Sequence, residues 1–371
     1  MNINIMKCYK TVLKIKGLIK NYGFFIISFI IFFYFLTLFI FCFCAYIKLM
    51  RNIKSIFSAL KRNQSIQIRQ ESKTEIKKIQ TKKNKRMKNQ GKKDLKKKDK
   101  KIKDNTQQLT QNIAGHSTIR KNSANKKSFK TMSIKDKTIK EILEKKDFEL
   151  NSLDYEEAIK LDKRTYCIYY ISLIKNNHPF IFSFGCSDYN SGIIKMFLFF
   201  FSFSLDLTIN AMFFNDDTMH KIYEDKGKFN FLYQIPQILY STFISKLIDS
   251  IVRKLALSQD NFVDLKQEKE NLDKKYIQIK RILKIKFIFF FFISFIVLVF
   301  FWYYIVCFCG IYVNTQIHLI KDSVFSLLTG LFSPFILCLI PGVFRIPALS
   351  VNKPTRGFLY RFSSLLENIL C

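Results

Sequence analysis

Apolar residues in this chain come in long blocks, not in the short periodic runs of a soluble fold. Residues 24–45 (FFIISFIIFFYFLTLFIFCFCA) carry no charge. At about 1.5 Å per residue the block is about 33 Å long, enough to cross a hydrocarbon core of about 30 Å. A cleavable signal has an apolar stretch of only about 7–15 residues and a small-residue cleavage site. The pattern therefore predicts a retained first span over residues 24–47. A second block, residues 193–214, has Lys195 near its start and Asp206 and Asn210 inside it. Residues 229–248 are weaker, interrupted by Pro236 and bearing Gln234 and Gln237. A span, a re-entrant loop and an interfacial helix all fit that stretch. Residues 287–309 (FIFFFFISFIVLVFFWYYIVCFC) form another strong block, with Trp302, Tyr303 and Tyr304 toward the end where interfacial aromatics belong. The last block, residues 323–344, is interrupted by Pro334 and Pro341.

The polar stretches between these blocks differ from one another. Residues 1–23 are a short basic segment with Lys7, Lys10, Lys14, Lys16 and Lys20. Residues 48–132 are lysine-rich and read as a disordered loop. Between Lys73 and Lys103 there are 16 basic residues against three acidic ones, a net of +13, and apolar residues show no period. Residues 133–192 regain helical spacing (Ile139, Ile142, Leu143; Ala158, Ile159, Leu161), with Asp154 and Glu157 as a capping pair. Two short amphipathic helices are expected there. Residues 249–286 predict a polar helix with a basic end. Residues 310–322 read as a short linker, and residues 345–371 as a basic tail.

Composition agrees with this division. The 371 residues carry a net charge of +33, yet 49% are hydrophobic and 41 are Phe, with only 11 Gly. One soluble domain accommodates neither bias easily, because self-repulsion opposes compaction and a disordered chain lacks apolar residues. The predicted fold class is all-α: a multi-pass helical membrane protein of about five spans, with a disordered lysine-rich cytoplasmic loop.

Charge also suggests orientation, since basic flanks of spans stay cytoplasmic. Two hairpins, 193–248 and 287–344, would place 48–132, 249–286 and 345–371 on the cytoplasmic side. The first span then needs its N-terminus outside, against the five lysines of residues 1–23.

Three long stretches carry a resemblance. They are NSLDYEEAIKLDKRTYCIYYISLIKNNHPF (151–180), FFNDDTMHKIYEDKGKFNFLYQIPQILYS (213–241), and FWYYIVCFCGIYVNTQIHLIKDS with PFILCLIPGVFRIPAL (301–323 and 334–349). Over roughly half of its length the chain resembles the C-terminal membrane region of large uncharacterised transmembrane proteins of ciliates. The resemblance implies a membrane module without assigned catalytic residues. In such proteins a large ectodomain precedes the first span, where 23 residues stand here. That difference favours an outside N-terminus, and either a stand-alone module or a truncated reading frame.

Candidate chemistry is sparse. Asp206 and Asn210 lie i, i+4 on one helical face and could line a polar path or bond a neighbouring span. Asn215, Asp216, Asp217, Glu224 and Asp225 lack the EF-hand pattern, with His220 at the sixth position and Lys226 at the twelfth. A solvated loop is the expectation. The nine Cys, among them Cys42, Cys44, Cys307, Cys309 and Cys338 in or beside apolar runs, read as small apolar residues, without metal-site spacing. The prolines are read as kinks. Nucleotide-loop, G-x-S-x-G and H-E-x-x-H signatures are absent from the sequence. No enzymatic activity, cofactor or metal is expected.

The expected partners are the bilayer and anionic lipid headgroups or an acidic protein, contacted by Lys82, Lys83, Lys96, Lys97, Lys98, Lys284 and Lys286. Nucleic acid is not expected, because the basic segment lacks interleaved aromatics for base stacking. An oligomer is possible. The resulting expectation is a non-enzymatic anchoring or signalling module of the plasma membrane, with a channel or transporter subunit as the alternative.

Overall fold

The structure, a computed structural model, describes residues 3–12, 14–68, 74, 142–185, 189–225, 231–268, 270–350 and 356–370. Every regular element among them is helical. By contact the chain divides into two units, Met1–Lys54 with Lys145–Cys371, and Ser55–Glu144. In the second unit, residues 55–68 are helical. Lys82, Lys83, Lys96, Lys97 and Lys98, with the lysine-rich loop around them, lie outside the described residues.

Among the described residues, four helices are long and apolar enough to cross a membrane. They are α1 (Tyr22–Ile68), α6 (Gly192–Phe213), α10 (Leu272–Ile311) and the stretch Gln316–Ser350, which comprises α11 (Gln316–Leu337) and α12 (Leu339–Ser350). Among the described residues, four short helices stand between α1 and α6: α2 (Asp147–Asn151), α3 (Tyr155–Leu161), α4 (Tyr166–Asn177) and α5 (Pro179–Phe184). Of the two amphipathic helices expected from sequence, the start of the first, with Ile139, lies outside the described residues, and the second, with Ala158, Ile159 and Leu161, is α3. Asp154 does occupy the N-cap of α3, but its side chain makes no capping hydrogen bond. After α6 come α7 (Asp216–Glu224), α8 (Phe231–Ala256) and α9 (Gln259–Gln267). A final helix, α13 (Gly357–Leu370), closes the chain.

Several sequence boundaries move. The weak block at 229–248 is one helix of 26 residues, α8, which runs through Pro236 and on to Ala256. The supposed linker 310–322 shrinks to the turn between Ile311 and Gln316, because α11 begins early. Pro334 sits inside α11 without ending it, and the break to α12 falls at Cys338. The C-terminal tail is mostly the helix α13 packed against α12, not a loose basic strand.

Helices α1 and α10 pack antiparallel through aromatic side chains. Phe24 meets Trp302 at 6.1 Å, the Tyr34 hydroxyl donates to the Phe291 carbonyl at 2.8 Å, and Phe41 meets Phe287 at 4.8 Å. Gly23 permits the approach at the N-terminal end of α1. A Cβ there would meet the Ile305 side chain and would lie 2.8 Å from Cys309 Sγ. Outward rings such as Phe32 and Phe292 stay exposed, as lipid-facing residues would. The aromatics expected at an interface turn inward: Tyr304 is fully buried, Trp302 Nε1 donates to Ser28 Oγ at 3.0 Å, and the Tyr303 hydroxyl donates to the Met6 carbonyl at 2.8 Å.

Candidate functional site

Polar contacts within the first unit gather at two ends of the helix bundle. At one end, Asn21 Nδ2 donates to the Val306 carbonyl at 2.7 Å, and Gln316 Nε2 donates to the Lys20 carbonyl at 2.9 Å. The Tyr312 hydroxyl donates to Asp216 at the start of α7. The N-terminal segment therefore sits with the α6–α8 connection and the α10–α11 turn. Asn215 caps α7 by accepting from the Thr218 amide at 2.8 Å, and His220 pairs with Glu224 at 3.1 Å. Among the described residues no cluster of His, Cys, Asp or Glu is arranged to hold a metal ion.

The opposite end is a compact ionic head. Arg345, at the C-terminal side of the last apolar block, is fully buried. Its guanidinium pairs with Asp162 at 3.1 Å and donates to the Leu150 carbonyl at 2.8 Å. The Tyr169 and Tyr360 rings flank it, with centroids 4.9 and 4.7 Å away. Arg164 clasps the same carboxylate from the other side, Nε to Oδ1 at 2.8 Å and Nη2 to Oδ2 at 2.9 Å. Burial opposes ionisation of Asp162, but the hydrogen bonds and charges of Arg164 and Arg345 outweigh it and hold the carboxyl below its usual range. The Tyr169 hydroxyl donates to Glu367 of α13 at 2.9 Å. Burial pushes the Glu367 carboxyl up, partly offset by Arg345. The sequence alone places Arg345 at the start of a basic tail. Its position beside an apolar block gave no sign of a partner 183 residues away.

A second buried pair joins the head to α9. Lys266 Nζ lies 3.0 Å from the Glu149 carboxylate, and the Tyr189 ring stacks on Phe262 with centroids 4.7 Å apart. Asn190 Oδ1 accepts from the Ser258 amide at 2.8 Å, and Asn190 Nδ2 donates to Gln259 at 2.8 Å. Lys286, half-buried, donates to the Leu257 carbonyl at 2.5 Å. Lys284 is exposed.

Asp206 and Asn210 part company. Asn210 is buried in the bundle, 3% exposed, whereas Asp206 lines a cavity of 440 Å³ between α6, α8 and α11, bordered at the head by Asn177, Pro179, Asp260 and Asn368. The α8 wall supplies Ser245, Lys246, Asp249 and Arg253, and the α11 wall supplies Ser326 and Ser333. Asp249 and Arg253, at i, i+4, are bonded at 2.6 Å. Helix α8 packs along α6 in the same bundle, and Gln234, Pro236, Gln237 and Lys246 leave its apolar stretch weaker than those of the four apolar helices. An adjoining cavity of 470 Å³ shares Arg253 and Asn177 with the first and reaches Asn151 and Glu367 in the head.

The polar positions of α8 recur at helical spacing (245, 249, 253), a signal legible in the sequence and unused there. Of the expected site residues, the structure brings Asp206 to a cavity and leaves Lys284 at the surface. It does not group Lys284 with Lys286. No protein-family model matches this chain, and no curated protein or solved structure shows significant similarity to it.

Proposed function

We propose that this chain is a non-enzymatic integral membrane protein of five spans that acts as an anchoring or signalling module. Helix α8 is the fifth span, beside the four apolar helices. The N-terminus lies outside, and the lysine-rich segment and C-terminus lie in the cytoplasm, at the plasma membrane.

One observation carries this reading: residues 145–190, 249–286 and 345–370 meet in one polar head, through Arg345–Asp162 and Lys266–Glu149. Segments that touch lie on one side of a bilayer, so each pair is separated by an even number of crossings. If α6 crosses, α8 must cross back. The antiparallel register of α1 on α10, with Phe41 beside Phe287, supports a first span that runs toward that same side, and the charge of the lysine-rich segment is the reason to place that segment there. There its lysines would meet anionic headgroups, each gaining about 1 kcal/mol close to the surface. A peptide of residues 73–103 is expected to bind liposomes containing phosphatidylserine at low salt and to release as salt rises. Failure to bind at low salt would remove the anchoring reading.

A second reading, a channel or transporter subunit, is favoured by the cavity at Asp206, since a carboxylate at membrane depth should face protein or water. Flux measured in proteoliposomes, and its loss in Asp206→Asn, separates the two readings.

A further inference from the structure

We propose that the cavity between α6, α8 and α11 is a binding cleft for the headgroup of a zwitterionic phospholipid, entered sideways from the bilayer. The proposal rests on the reading of α8 as a span and specifies what that span lines.

The first argument is charge. Asp206, Asp249 and Asp260 line the cavity together with Lys246, Arg253 and Lys254. A lone cation or a lone anion would find an opposing charge close by. A headgroup carrying a phosphate and an ammonium has a partner for each: the lysines for the phosphate, and Asp206 for the ammonium.

The second argument is hydrogen-bonding capacity that the protein leaves unused. The Ser245 hydroxyl, 3% exposed, lies beside the Asp206 carboxylate in the wall. Asp249 uses one oxygen on Arg253, while Oδ1 is buried and unpaired. Pro334, also in the wall, has no amide hydrogen to give the carbonyl of Gly330 one turn earlier, and Gly330 lines the cavity too. A buried acceptor such as Asp249 Oδ1 ordinarily finds a partner.

The third argument is access. Among the described residues, helices α8 and α11 each pack along α6, with no comparable packing on one another. Lys246, Ser250 and Lys254 are exposed at the opening. Phe243 and Ile251 on α8, and Phe332 and Ile336 on α11, are exposed apolar side chains on the same two helices. An occupant with a polar end in the cleft and acyl chains along those flanks suits this surface better than a soluble ion. Along α8 the cleft runs from Leu257, level with Lys286, to Ser245. Those 12 residues span about 18 Å, more than half of a core of about 30 Å.

The test is lipid retention. The full chain is purified in detergent containing equal amounts of phosphatidylethanolamine, whose ammonium has N–H groups to donate, and phosphatidylglycerol, washed, and its bound lipid counted by native mass spectrometry. Phosphatidylethanolamine should be retained in preference. Lys246→Glu and Ser250→Trp, both at exposed positions, should each cut that retention by about tenfold, and Lys284→Glu, outside the cleft, should not. Preference for phosphatidylglycerol, or unchanged retention in both cleft variants, would overturn the proposal. Side-specific labelling at Tyr223 and Lys274 in the same preparations reports independently on whether α8 spans. Failure of the cleft is thereby distinguished from failure of the topology.

Discussion

Arg345 and Asp162 form an ion pair at 3.1 Å with side chains 0% and 2% exposed. The pair fastens the residues before α6 to the residues that follow the last apolar block. A charge so deeply buried is held by its partner, and removing one member strands the other. Arg345→Ala should therefore destabilise the head by about 3–5 kcal/mol. Arg345→Lys should recover only part of this, because an ammonium cannot reach Asp162 and the Leu150 carbonyl with one planar fork. Thermal unfolding of the detergent-solubilised protein, read as a drop in midpoint, checks both variants.

The head should also be stable only between two pH limits. The Asp162 carboxyl is held low in the folded state. Its contribution is present above the ordinary value of about 3.9 and is lost as pH falls through the folded value. Burial raises the Tyr169 and Tyr360 hydroxyls above about 10, so their contribution is full below that pH and lost as pH rises. Hydrogen exchange in α3 and α13 should accelerate beyond both limits. Tyr169→Phe should flatten the alkaline limb. An unchanged alkaline limb would show that this hydroxyl is not the group involved.

Close packing of α1 on α10 depends on Gly23. Any side chain there must displace Ile305 and Cys309, both buried. Gly23→Val should separate the N-terminal end of α1 from α10. Disulfide trapping between cysteines placed at Phe24 and Trp302, efficient in the parent, should fall sharply in the variant.

The long uncharged blocks were legible because hydrophobic length alone specifies a membrane-crossing helix; residues 24–45 and 287–309 needed nothing more. Helix α8 was ambiguous for a physical reason. Gln234, Pro236 and Gln237 interrupt its first half, while Asp249 and Arg253, beyond the apolar stretch, line a cavity and Phe243 and Ile251 are apolar and exposed. The head was not legible at all. Asp162, Arg164, Tyr169, Arg345 and Glu367 come from separate segments, and no local pattern marks a charge that will find its partner across two hairpins. The acidic stretch 215–225 was read as a loop, and much of it is α7, started by the cap at Asn215. The opposing lysines of residues 1–23 remain the strongest charge-based argument against an outside N-terminus. The hydrogen bonds from Asn21 to Val306 and from Gln316 to Lys20 support placing that segment at the end away from the head.

The most direct test of the account is the side of the membrane on which each end of α8 emerges. Single cysteines at Tyr223, 61% exposed in α7, and at Lys274, exposed near the start of α10, are introduced into a chain whose native cysteines are replaced. Intact cells are then treated with a membrane-impermeant maleimide. The account predicts labelling at position 223 in intact cells and at position 274 only after permeabilisation. Labelling of both positions from the same side would contradict it, because α8 would then not cross.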